Sequence, residues 1–581
     1  MAARKSKKSP KKAAPAGASA RVETPTSDSA PKTGFRALLA KEWTVPLLLV
    51  GIAFALRLVN LLLMRENSPF YDAPVTDGDF YDKMAMRIAE GDWRGGKDVF
   101  FVNPFYPYFL AAIYRIFGHS CTAVKLIQIA LGSGTCLLVY LLGKRLISRP
   151  AAVIATAMAA FYGIFIYYDE LLLATTVSVF TFLAALHLLL WAIEKKALHG
   201  FALAGAVLGI SFVSRPSVFP FIAAFWLVYC LRDRAEGFIA ARLAVYSLVA
   251  ACFVLPVTIR NYVVADDFVL VSSHSGYNLY FGTNTTSGGY FGLPKEIPRT
   301  LIDSPEDQKK WFTDEAEKAA GRSLKPSEVS SFWASKAWGI IFENPGEWLL
   351  LAGNKLLRLL NAHEFSDNQN FYFSKQFSFL LRLPLVGFGL VCPLALLGMV
   401  LLFRERKQVG ILYLYVIGYA GALLFFFVSS RYRMPLVPVF MLFAGHALHW
   451  IGKKLTARDF KPFLKAAVIL VAAAVLTFLQ LKGVEKGPFF IDYYNMGNKY
   501  LQKGRLDEAV DAFSTAVRMQ PSYISAHNNL ATAYEKAGRF DKSLEEWKVV
   551  LEMGRKINSP LHLRRANEHI DRLSKVQQQQ R

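Results

Sequence analysis

Cysteine is scarce in this chain, and the few cysteines form no pattern that could build a fold. The 581 residues include five, all in or beside apolar segments and none at zinc-finger spacing: Cys121, Cys136, Cys230, Cys252 and Cys392. No disulfide framework is visible, so the cysteines do not indicate whether the protein lies in an oxidising or a reducing compartment. No other cluster has metal-ligand spacing, so the sequence predicts no cofactor and no metal site, with a divalent metal left open.

Acidic residues are also in short supply, and so is the polar surface of a soluble protein. Asp and Glu number 44 against 67 Lys and Arg, which gives a formal net charge of +23, while 53% of the residues are hydrophobic and 14% are aromatic. This composition predicts a protein that crosses a membrane several times. In such a protein, clustered Lys and Arg between spans record orientation, so we expect no nucleic-acid partner.

Large apolar side chains are nearly absent from residues 1–43, which begin "MAARKSKKSPKKAAPAGASA". This Lys-, Ala-, Pro- and Ser-rich composition predicts a disordered, basic cytoplasmic tail. The tail lacks the layout and cleavage site of a signal peptide, so the first span is expected to stay. The tail either attracts anionic lipid or keeps the N-terminus inside, and we favour the second interpretation.

Apolar runs, by contrast, are frequent. We interpret eleven as membrane spans, at about 44–64, 122–143, 151–168, 171–193, 201–214, 217–231, 240–258, 379–403, 409–428, 434–451 and 463–481. Five connections are short and basic, and all lie on one side if the N-terminus is cytoplasmic: 143–150, 194–200, 232–237, 403–408 and 452–461. The sequence thus predicts a multi-pass inner (plasma) membrane protein over 44–484, with its C-terminus periplasmic or external.

Two long connections are predicted to be external loops, at 65–121 and 259–378. The aromatic stretch 103–120 is too short and proline-rich for a span, so we expect an interfacial helix there. In the second loop, Ser304-Pro305, Pro326-Ser327 and Asn344-Pro345 are helix-start signals. The Gly-, Asn- and Tyr-rich stretch 272–294 is interpreted as an ordered loop.

A repeat of 34 residues occupies the C-terminal part. Residues 493–523 align with 527–554, so that Tyr500 matches Tyr534 and Gly504 matches Gly538, which is the tetratricopeptide pattern of paired helices. Residues 560–573 are expected to form a capping helix. The predicted fold class is therefore all-α: a polytopic helical membrane bundle with external loop helices, and an external tetratricopeptide α-hairpin domain over 485–581.

Carboxylates and arginines collect on the non-cytoplasmic side of this topology. The first loop carries Asp77 and Asp79, and four arginines stand near outer span ends or in turns: Arg57, Arg215, Arg431 and Arg433. Orientation does not explain these arginines. A charge within a membrane costs roughly 2.5–3.5 kcal/mol at full depth. Because a guanidinium fork suits phosphate, we predict that the four arginines bind the phosphate of an anionic ligand.

Each of these residues also has a structural interpretation. Arg57 suits snorkelling to the interface, Arg215 suits a proline-tightened turn, and Arg431 and Arg433 suit the anchoring of a span end. The aspartates at the start of a helix suit N-capping.

A carboxylate beside arginines at a bilayer surface fits the attack of a hydroxyl on a sugar carried by a lipid phosphate. The carboxylate takes the hydroxyl proton as general base, and the arginines stabilise the leaving phosphate. Glycoside hydrolysis would need two carboxylates, whereas this reaction needs one. Direct displacement by one base would invert the anomeric carbon. An inverting glycosyltransferase is therefore one function that fits this arrangement of residues.

Three stretches carry a family resemblance: "VTDGDFYDKMAMRIAEGDW", "NPFYPYFLAAIYRIFG" and "SSRYRMPLVPVFMLFAGHAL". They resemble the bacterial GT-C glycosyltransferases, relatives of the protein O-mannosyltransferases (family 39-like) and the lipid A aminoarabinose transferase, over about 44–450. The resemblance implies a polyprenyl-phosphate sugar donor and an aspartate base in the first external loop. The family spacing matches Asp77, Tyr81 and Ala85, which favours Asp77 over Asp79 as the catalytic residue.

The sequence departs from this family near the "P-x-Y-P" segment, where relatives often have a second acid. Asn103 stands there, and Asp98 is the nearest acidic residue, which puts a metal-assisted variant in doubt. Five further residues are candidates for substrate binding: Glu170, Arg260, Tyr280, Asn284 and Glu364. For Tyr280 and Asn284, folding of the loop is an equally good explanation.

Two other functions stay open from the sequence. One is an oligosaccharide polymerase or ligase that uses a diphosphate-linked lipid donor. The other is a non-enzymatic envelope scaffold or transporter, although no internal symmetry of a transporter is visible. The expected partners are a polyprenyl-phosphate sugar, membrane lipids, an acceptor of unknown kind (protein, lipid or glycan), and a protein bound through the tetratricopeptide module.

Overall fold

The structure is a computed structural model that describes residues 42–219, 221–222, 225–226, 229, 239–285, 288–289, 305–481 and 489–580. Within these residues the regular structure is helical, apart from one isolated β-bridge. The predicted all-α fold class is confirmed. The predicted tail over 1–43 and the domain boundary at 484–485 lie mostly outside the described residues.

The α-helices, in chain order, are α1 Thr44–Asn67, α2 Asp77–Ala89, α3 Phe105–Phe117, α4 Cys121–Leu146, α5 Arg149–Ala160, α6 Gly163–Tyr168, α7 Thr175–Lys195, α8 Leu198–Ser214, α9 Ile239–Ala265, α10 Ser275–Gly282, α11 Pro305–Ala320, α12 Pro326–Glu343, α13 Pro345–Leu360, α14 Phe371–Ser374, α15 Phe379–Arg382, α16 Phe388–Leu402, α17 Arg406–Phe425, α18 Ser430–Arg433, α19 Val437–Thr456, α20 Phe460–Thr477, α21 Phe490–Gln502, α22 Leu506–Met519, α23 Ile524–Lys536, α24 Phe540–Lys556 and α25 Pro560–Gln580. Short 3-10 turns lie at Pro216–Val218, Lys375–Phe377, Phe403–Glu405 and Met434–Leu436.

Eight helical segments among the described residues are long and apolar enough to cross a membrane. They are α1, α4, α7, α9, α16 with the turn after it, α17, α18 continued into α19, and α20. Helices α5 and α8 are apolar but shorter, at 12 and 17 residues. The chain is therefore a multi-pass membrane protein. The predicted span at 217–231 lies partly outside the described residues, and the sides on which the termini lie stay a prediction.

Six of the span-length helices and the shorter helices α5 and α8 pack side by side in the order α9, α8, α7, α4, α5, α19, α16 and α20. Glycines permit the close crossings. A Cβ on Gly205 of α8 would lie 2.3 Å from the Tyr246 carbonyl oxygen of α9, and one on Gly398 of α16 would lie 2.0 Å from the Phe443 oxygen of α19. Small residues at crossings are typical of helices that pack within lipid.

Two predicted spans are interrupted because their backbones pair with each other. The stretch 151–168 divides at Tyr162, and the stretch 379–403 becomes a long helix only from Phe388. Between the two, the Gly163 amide donates to the Val386 carbonyl at 3.1 Å, and the Val386 amide donates to the Phe161 carbonyl at 3.1 Å. This exchange satisfies backbone groups that a continuous helix would have paired internally.

The two long loops, which we name external after the predicted topology, contain the predicted helices. Helices α2 and α3 lie in the first loop, and in the second loop α11, α12 and α13 each begin at the predicted proline. The prediction of a loop over 272–294 is wrong for α10. A Cβ on Gly276 would lie 1.8 Å from the Ser330 carbonyl oxygen, so this glycine serves close packing of α10 on α12 rather than a turn.

The C-terminal helices form two α-hairpins, α21–α22 and α23–α24, followed by the capping helix α25. Gly504 and Gly538 occupy equivalent turns with φ of 72° and 71°, a conformation that glycine adopts without strain. The equivalent residues Phe513 and Trp547 are both buried. Residue Ala566 of α25 packs in the same apolar cluster as Trp547, as expected of a cap.

Candidate active site

Asp77 is the first residue of α2, and the second external loop holds it in place. The N-cap position belongs to Thr76, whose φ is 51° and whose side chain makes no capping hydrogen bond. The Asp77 amide donates to Asn368 Oδ1 at 3.2 Å, and Asn368 Nδ2 donates to Asp77 Oδ2 at 3.2 Å. The side chain of Asp77 is about one-quarter exposed. The carboxylate is therefore oriented by a second-loop amide and still reachable.

Arg431 bridges two carboxylates from the two external loops. Its Nη1 donates to Asp77 Oδ2 at 2.5 Å, and its Nε lies 2.7 Å from Asp367 Oδ2. Asp367 is buried, and this burial raises its pKa above the ordinary range, with the Arg431 charge acting in the opposite direction. One guanidinium thus ties α18 to both loops at the point where Asp77 stands.

Arg215 joins this cluster from the turn after α8. Its Nη1 donates to the carbonyl oxygen of Arg431 at 3.0 Å. The guanidinium carbons of Arg215 and Arg431 lie 4.7 and 4.9 Å from the centre of the Tyr432 ring. An aromatic ring attracts cations on its face, which helps two like charges to stay close. The sequence therefore supplies two arginines beside Asp77.

A cavity of about 1200 Å³ opens at this cluster, and Asp77, Arg215 and Arg431 line it. Its apolar lining residues include Phe212, Phe268, Leu270, Leu423 and Phe426. Its polar lining residues include Asn103, Ser272, Asn278, Asp367 and Asn368. The same cavity also touches α21 and the turn before α23. The lining therefore offers both apolar and polar contacts to a ligand.

Arg57 lies outside this cavity, in a buried ion pair. Its Nε donates to Asp169 Oδ2 at 2.5 Å, and Thr176 Oγ1 donates to the other carboxylate oxygen at 2.7 Å. Arg57 is 1% exposed. A Cβ on Gly132 would lie 2.2 Å from Asp169 Oδ2, so the glycine makes room for this carboxylate against α4.

Arg433 is likewise buried and paired away from the cavity. Its Nη2 donates to Glu364 Oε2 at 2.6 Å, and its Nη1 donates to the Asn361 carbonyl at 2.6 Å. Ser430 Oγ donates to the same Glu364 oxygen at 2.5 Å. The pair joins α18 to the end of the second external loop. Neither Arg433 nor Glu364 is among the residues that line the cavity.

Glu170 is another buried carboxylate outside the main cavity. Its Oε2 accepts from Asn60 Nδ2 at 2.9 Å, and its Oε1 lies 3.8 Å from Lys125 Nζ. Burial raises the pKa of Glu170 to about 8. Its surroundings suit a structural contact between α1 and α4.

The remaining predicted site residues lie elsewhere. Arg260 donates to the carbonyls of Arg94, Asp98 and Gly96 at 2.5–2.8 Å and so holds the first loop. Tyr280 packs on Trp333 with 4.8 Å between ring centres, and Asn284 is buried. Asp79 pairs with Lys83 at 2.5 Å on an exposed part of α2. Among the predicted residues, the structure brings Asp77, Arg215 and Arg431 together.

Two stretches of this chain match family models. Residues 102–259 match the model described as dolichyl-phosphate-mannose-protein mannosyltransferase, and residues 497–549 match the tetratricopeptide repeat. The membrane part resembles this glycosyltransferase family. The C-terminal part is a tetratricopeptide module. Both parts of the predicted resemblance are thereby confirmed.

The similarity of this chain to solved structures is low. The oligosaccharyltransferase of Archaeoglobus fulgidus in the apo form has 15% identity and a TM-score of 0.40, covering 91% of this chain and 59% of its own. The same enzyme, AglB, with an inhibitory peptide and a dolichol-phosphate has 16% identity and a TM-score of 0.38, over 80% and 59% of the two chains. ArnT from Cupriavidus metallidurans bound to undecaprenyl phosphate has 14% identity and a TM-score of 0.33, over 72% and 79%.

A curated relative matches only the module. The tetratricopeptide repeat domain-containing protein PYG7 of Arabidopsis thaliana is 37% identical over 59 residues, which are 10% of this chain and 20% of that protein. This chain thus spans a fifth of that relative and under two thirds of the archaeal oligosaccharyltransferase. The similarity of the module carries no information about an acceptor.

Three described side chains have the geometry to hold a metal ion. Ligand atoms of Asp82, His119 and Cys121 lie within 4.8 Å of one another. Asp82 already accepts from Tyr114 at 2.5 Å and lies 2.9 Å from His119 Nε2. None of the three lines the large cavity. Among the described residues, this group would hold a metal away from Asp77.

Some residues of the cluster were missed from the sequence. Asn368 orients Asp77, and Asp367 shares Arg431, but the sequence analysis chose Glu364 from the same segment. His274 also lines the cavity, and burial lowers its pKa to about 4, so it is neutral near pH 7. The acid- and amide-rich run "SDNQN" at 366–370 is the signal that could have identified the first two.

Proposed function

We propose that this protein is an inverting glycosyltransferase that moves a sugar from a polyprenyl-phosphate donor to a hydroxyl acceptor on the non-cytoplasmic side of the membrane. The 2.5 Å pair between Asp77 and Arg431, at a cavity lined by both apolar and polar residues, carries the proposal. The match of residues 102–259 to the mannosyltransferase family model supports it.

In this proposal the donor lies with its phosphate at Arg431 and Arg215 and its lipid chain against apolar residues of the cavity lining. Phe268 and Leu270 suit the chain because they are 70% and 50% exposed although they line the cavity. Exposed apolar side chains of this size mark a surface that lipid or a partner covers. Two guanidinium groups can share the oxygens of one phosphate.

Arrival of the phosphate changes the partners of Arg431. In the structure Asp77 and Asp367 share its guanidinium. A phosphate would compete for the same N–H groups and release Asp77 from its ion pair. Asn368 keeps the carboxylate in place through its own hydrogen bonds. Asp77 is then free to accept a proton from the acceptor hydroxyl.

The chemical step is a single displacement. The acceptor oxygen forms a bond to the anomeric carbon while the bond from that carbon to the phosphate oxygen breaks. The hydroxyl proton moves to Asp77, and the electron pair of the broken bond stays on the lipid phosphate, where Arg431 and Arg215 stabilise it. The configuration of the anomeric carbon inverts.

The other predicted arginines have structural roles in this proposal. Arg57 and Arg433 are 1% exposed and have carboxylate partners, so a phosphate could reach them only by breaking buried ion pairs. Breaking such a pair costs roughly 3–5 kcal/mol. We assign them to the packing of α1 and α18.

The test compares Asp77→Asn with Asp79→Asn, a matched change two residues along the same helix. Purified protein in liposomes is given radiolabelled polyprenyl-monophosphate sugars together with envelope extract as acceptor, and labelled product is measured. We expect Asp77→Asn to lose roughly 10²–10⁴-fold in rate, the usual contribution of a general base. Asp79→Asn should stay near the wild-type rate because Asp79 does not line the cavity and pairs with the exposed Lys83 and, at 3.9 Å, with Lys499 of α21.

The controls address folding and donor class. Equal thermal unfolding of the two variants shows that the Asp77 effect is chemical. A normal rate for Asp77→Asn would refute the assignment. Consumption of diphosphate-linked oligosaccharide alone would replace the proposal by the polymerase or ligase alternative.

A further inference from the structure

A carboxylate, an imidazole and a thiol converge where α2 meets the start of α4. Asp82 belongs to α2, His119 lies in the short connection after α3, and Cys121 is the first residue of α4. Their ligand atoms all lie within 4.8 Å of one another. None of the three lines the large cavity, and the proposed transfer reaction gives the group no role.

The local fold directs His119 and Cys121 to the same side. Ser120, which stands between them, is extended, with a φ of −129° and a ψ of 100°. Side chains on either side of an extended residue project toward the same face. The Ser120 hydroxyl fixes this turn because it accepts the Ala123 amide at 3.2 Å and so caps α4. One short segment therefore brings two metal-ligating side chains to Asp82.

Tyr114 of α3 holds two members of the group in place. Its hydroxyl donates to Asp82 Oδ1 at 2.5 Å, and its ring packs edge-on against the His119 ring with 4.8 Å between centres. Hydrogen bonds from residues behind the ligands orient metal sites in this way. Tyr114, Cys121 and Met84 also belong to one buried apolar cluster, which shields the inner side of the group.

The burial of Asp82 indicates a missing positive charge. Asp82 is 7% exposed, and among the described residues its side-chain partners are Tyr114 and His119, whose Nε2 lies 2.9 Å from Oδ1 and 3.1 Å from Oδ2. An imidazole is a cation only when it is protonated. Other buried carboxylates of the described chain have an Arg, a Lys or a helix-start amide beside them: Asp169 with Arg57, Glu170 with Lys125, Glu364 with Arg433, Asp367 with Arg431, and Asp267 with the Ser327 amide. Because an unpaired buried charge is costly, buried carboxylates are paired or coordinate metals.

The donor atoms select the kind of metal. Thiolate, imidazole and carboxylate together suit Zn²⁺, whereas Mg²⁺ and Ca²⁺ take oxygen ligands. Tetrahedral zinc bonds place ligand atoms about 3.3–3.8 Å apart. The 2.9 Å between Asp82 Oδ1 and His119 Nε2 and the 4.8 Å limit of the group lie within about 1 Å of that range. The His119 side chain is 45% exposed, so water can reach a fourth position.

Helix α2 is the element that such an ion would fix. Its first residue is Asp77, five residues before Asp82. The tetratricopeptide module also contacts this region, through Lys503 Nζ, which donates to the Pro69 carbonyl at 3.1 Å, and Lys499 Nζ, which lies 3.9 Å from an Asp79 oxygen. Such polar contacts between part-exposed groups contribute little. Metal bonds from Asp82 to the start of α4 would join α2 firmly to a membrane helix.

We propose that Asp82, His119 and Cys121 bind one Zn²⁺ ion, which fixes α2, and with it Asp77, against the start of α4. The ion has a structural role, because its ligands lie outside the cavity. Binding of the ion does not depend on the proposed glycosyltransferase function and can be measured without it.

The test measures Zn²⁺ and Co²⁺ binding by the full-length protein in detergent after removal of metals with EDTA. Metal per chain is determined by mass spectrometry, and Co²⁺ reports a thiolate ligand through its charge-transfer absorption in the near ultraviolet. Cys121→Ser and His119→Ala each remove one ligand. The matched controls, Cys252→Ser and His199→Ala, change an exposed cysteine of α9 and an exposed histidine of α8.

We expect one Zn²⁺ per chain in the wild type and in both controls. Tyr114→Phe keeps all three ligands and should weaken binding roughly 10–100-fold, as the loss of an outer-shell partner does. Each ligand variant should lose more than that. Zn²⁺ should raise the unfolding temperature of the wild type but not of Cys121→Ser, and Mg²⁺ should have no such effect.

The outcomes keep this inference apart from the proposed function. Equal Zn²⁺ binding by the wild type and Cys121→Ser, or a Co²⁺ complex without the thiolate band, would mean an adventitious ion only and would refute the site. If Cys121→Ser does not fold, His119→Ala decides, because its side chain is largely at the surface. Zn²⁺ binding without any sugar transfer supports the site and refutes the proposed function. Sugar transfer by a protein that binds no Zn²⁺ refutes the site alone.

Discussion

Two arginines that stand two residues apart in α18 show opposite behaviour. Arg431 has a side chain that is 12% exposed, faces the cavity, and shares its guanidinium between Asp77 and Asp367. Arg433 has a side chain that is 2% exposed and is satisfied by Glu364 and the Asn361 carbonyl. Both are arginines at a span end with carboxylate partners. Access to the cavity, rather than charge or pairing, distinguishes a candidate ligand-binding residue from a structural one.

Arg57, like Arg433, is buried and paired with a buried carboxylate. Its partner Asp169 fits against α4 because Gly132 has no side chain. In both buried pairs the carboxylate also accepts a hydroxyl hydrogen bond, from Ser430 or Thr176. Such satisfied pairs join distant segments. The cavity cluster differs because Asp77 and Arg431 line the cavity, where the proposed donor phosphate could reach them.

The largest expected effect is a loss of stability when the buried Arg433–Glu364 pair is broken. Arg433→Met leaves Glu364 buried without its cation, and we expect the free energy of unfolding to fall by about 3–5 kcal/mol. Thermal and denaturant unfolding in detergent measure it. The double change Arg433→Met/Glu364→Leu should recover much of the loss. A stable but inactive Arg433→Met protein would instead place Arg433 at the donor.

For Arg431, which lines the cavity, we predict a loss of the transfer rate. Arg431→Gln removes a charge from the leaving phosphate, and we expect transfer to fall roughly 10²–10³-fold, with weaker binding of undecaprenyl phosphate. Initial rates and a lipid-binding titration measure the two effects. If unfolding shifts as much as in Arg433→Met while binding stays normal, the contrast between the two arginines is wrong.

A smaller effect should follow from crowding the Arg57 pair. Gly132→Ala places a Cβ against the Asp169 carboxylate, and we expect a destabilisation of about 1–3 kcal/mol, typical of overpacking. Gly134→Ala is the matched control, since its Cβ would meet only the Phe180 ring edge at 3.0 Å. Unfolding midpoints of the two variants decide the result. Equal midpoints would mean that Asp169 can move freely.

The smallest expected effect concerns pH. Glu170 has a pKa of about 8 in the folded protein against 4.5 ordinarily, so the folded state holds its proton between these values. Stability from this group is present below about pH 4.5 and is lost as pH rises through about 8. Glu170→Gln should therefore flatten the fall of the unfolding temperature between pH 5 and 8. An unchanged slope would show that Lys125 keeps Glu170 ionised.

Much of the architecture could be predicted from local pattern. Apolar runs predicted the membrane helices, although the predicted spans 151–168 and 379–403 are interrupted. Prolines at 305, 326 and 345 predicted the starts of three loop helices, and the 34-residue period predicted the module. The sequence also selected Asp77 and Arg431, although their catalytic roles stay predictions. It could not tell Arg431 from Arg433, because that difference depends on partners up to 354 residues away. Docking of the module was invisible for the same reason.

The docked module has a further consequence for how the chain can be dissected. Asp492 of the module accepts a hydrogen bond from the backbone amide of Asn370, two residues after Asn368, which orients Asp77. Tyr493 of the module packs against Phe373. Cutting the chain before α21 would uncover that phenylalanine and loosen the segment that carries Asn368. A truncated protein would thus lose the alignment of Asp77 together with the module, so substitutions of single side chains test the role of Asp77 more directly than truncation does.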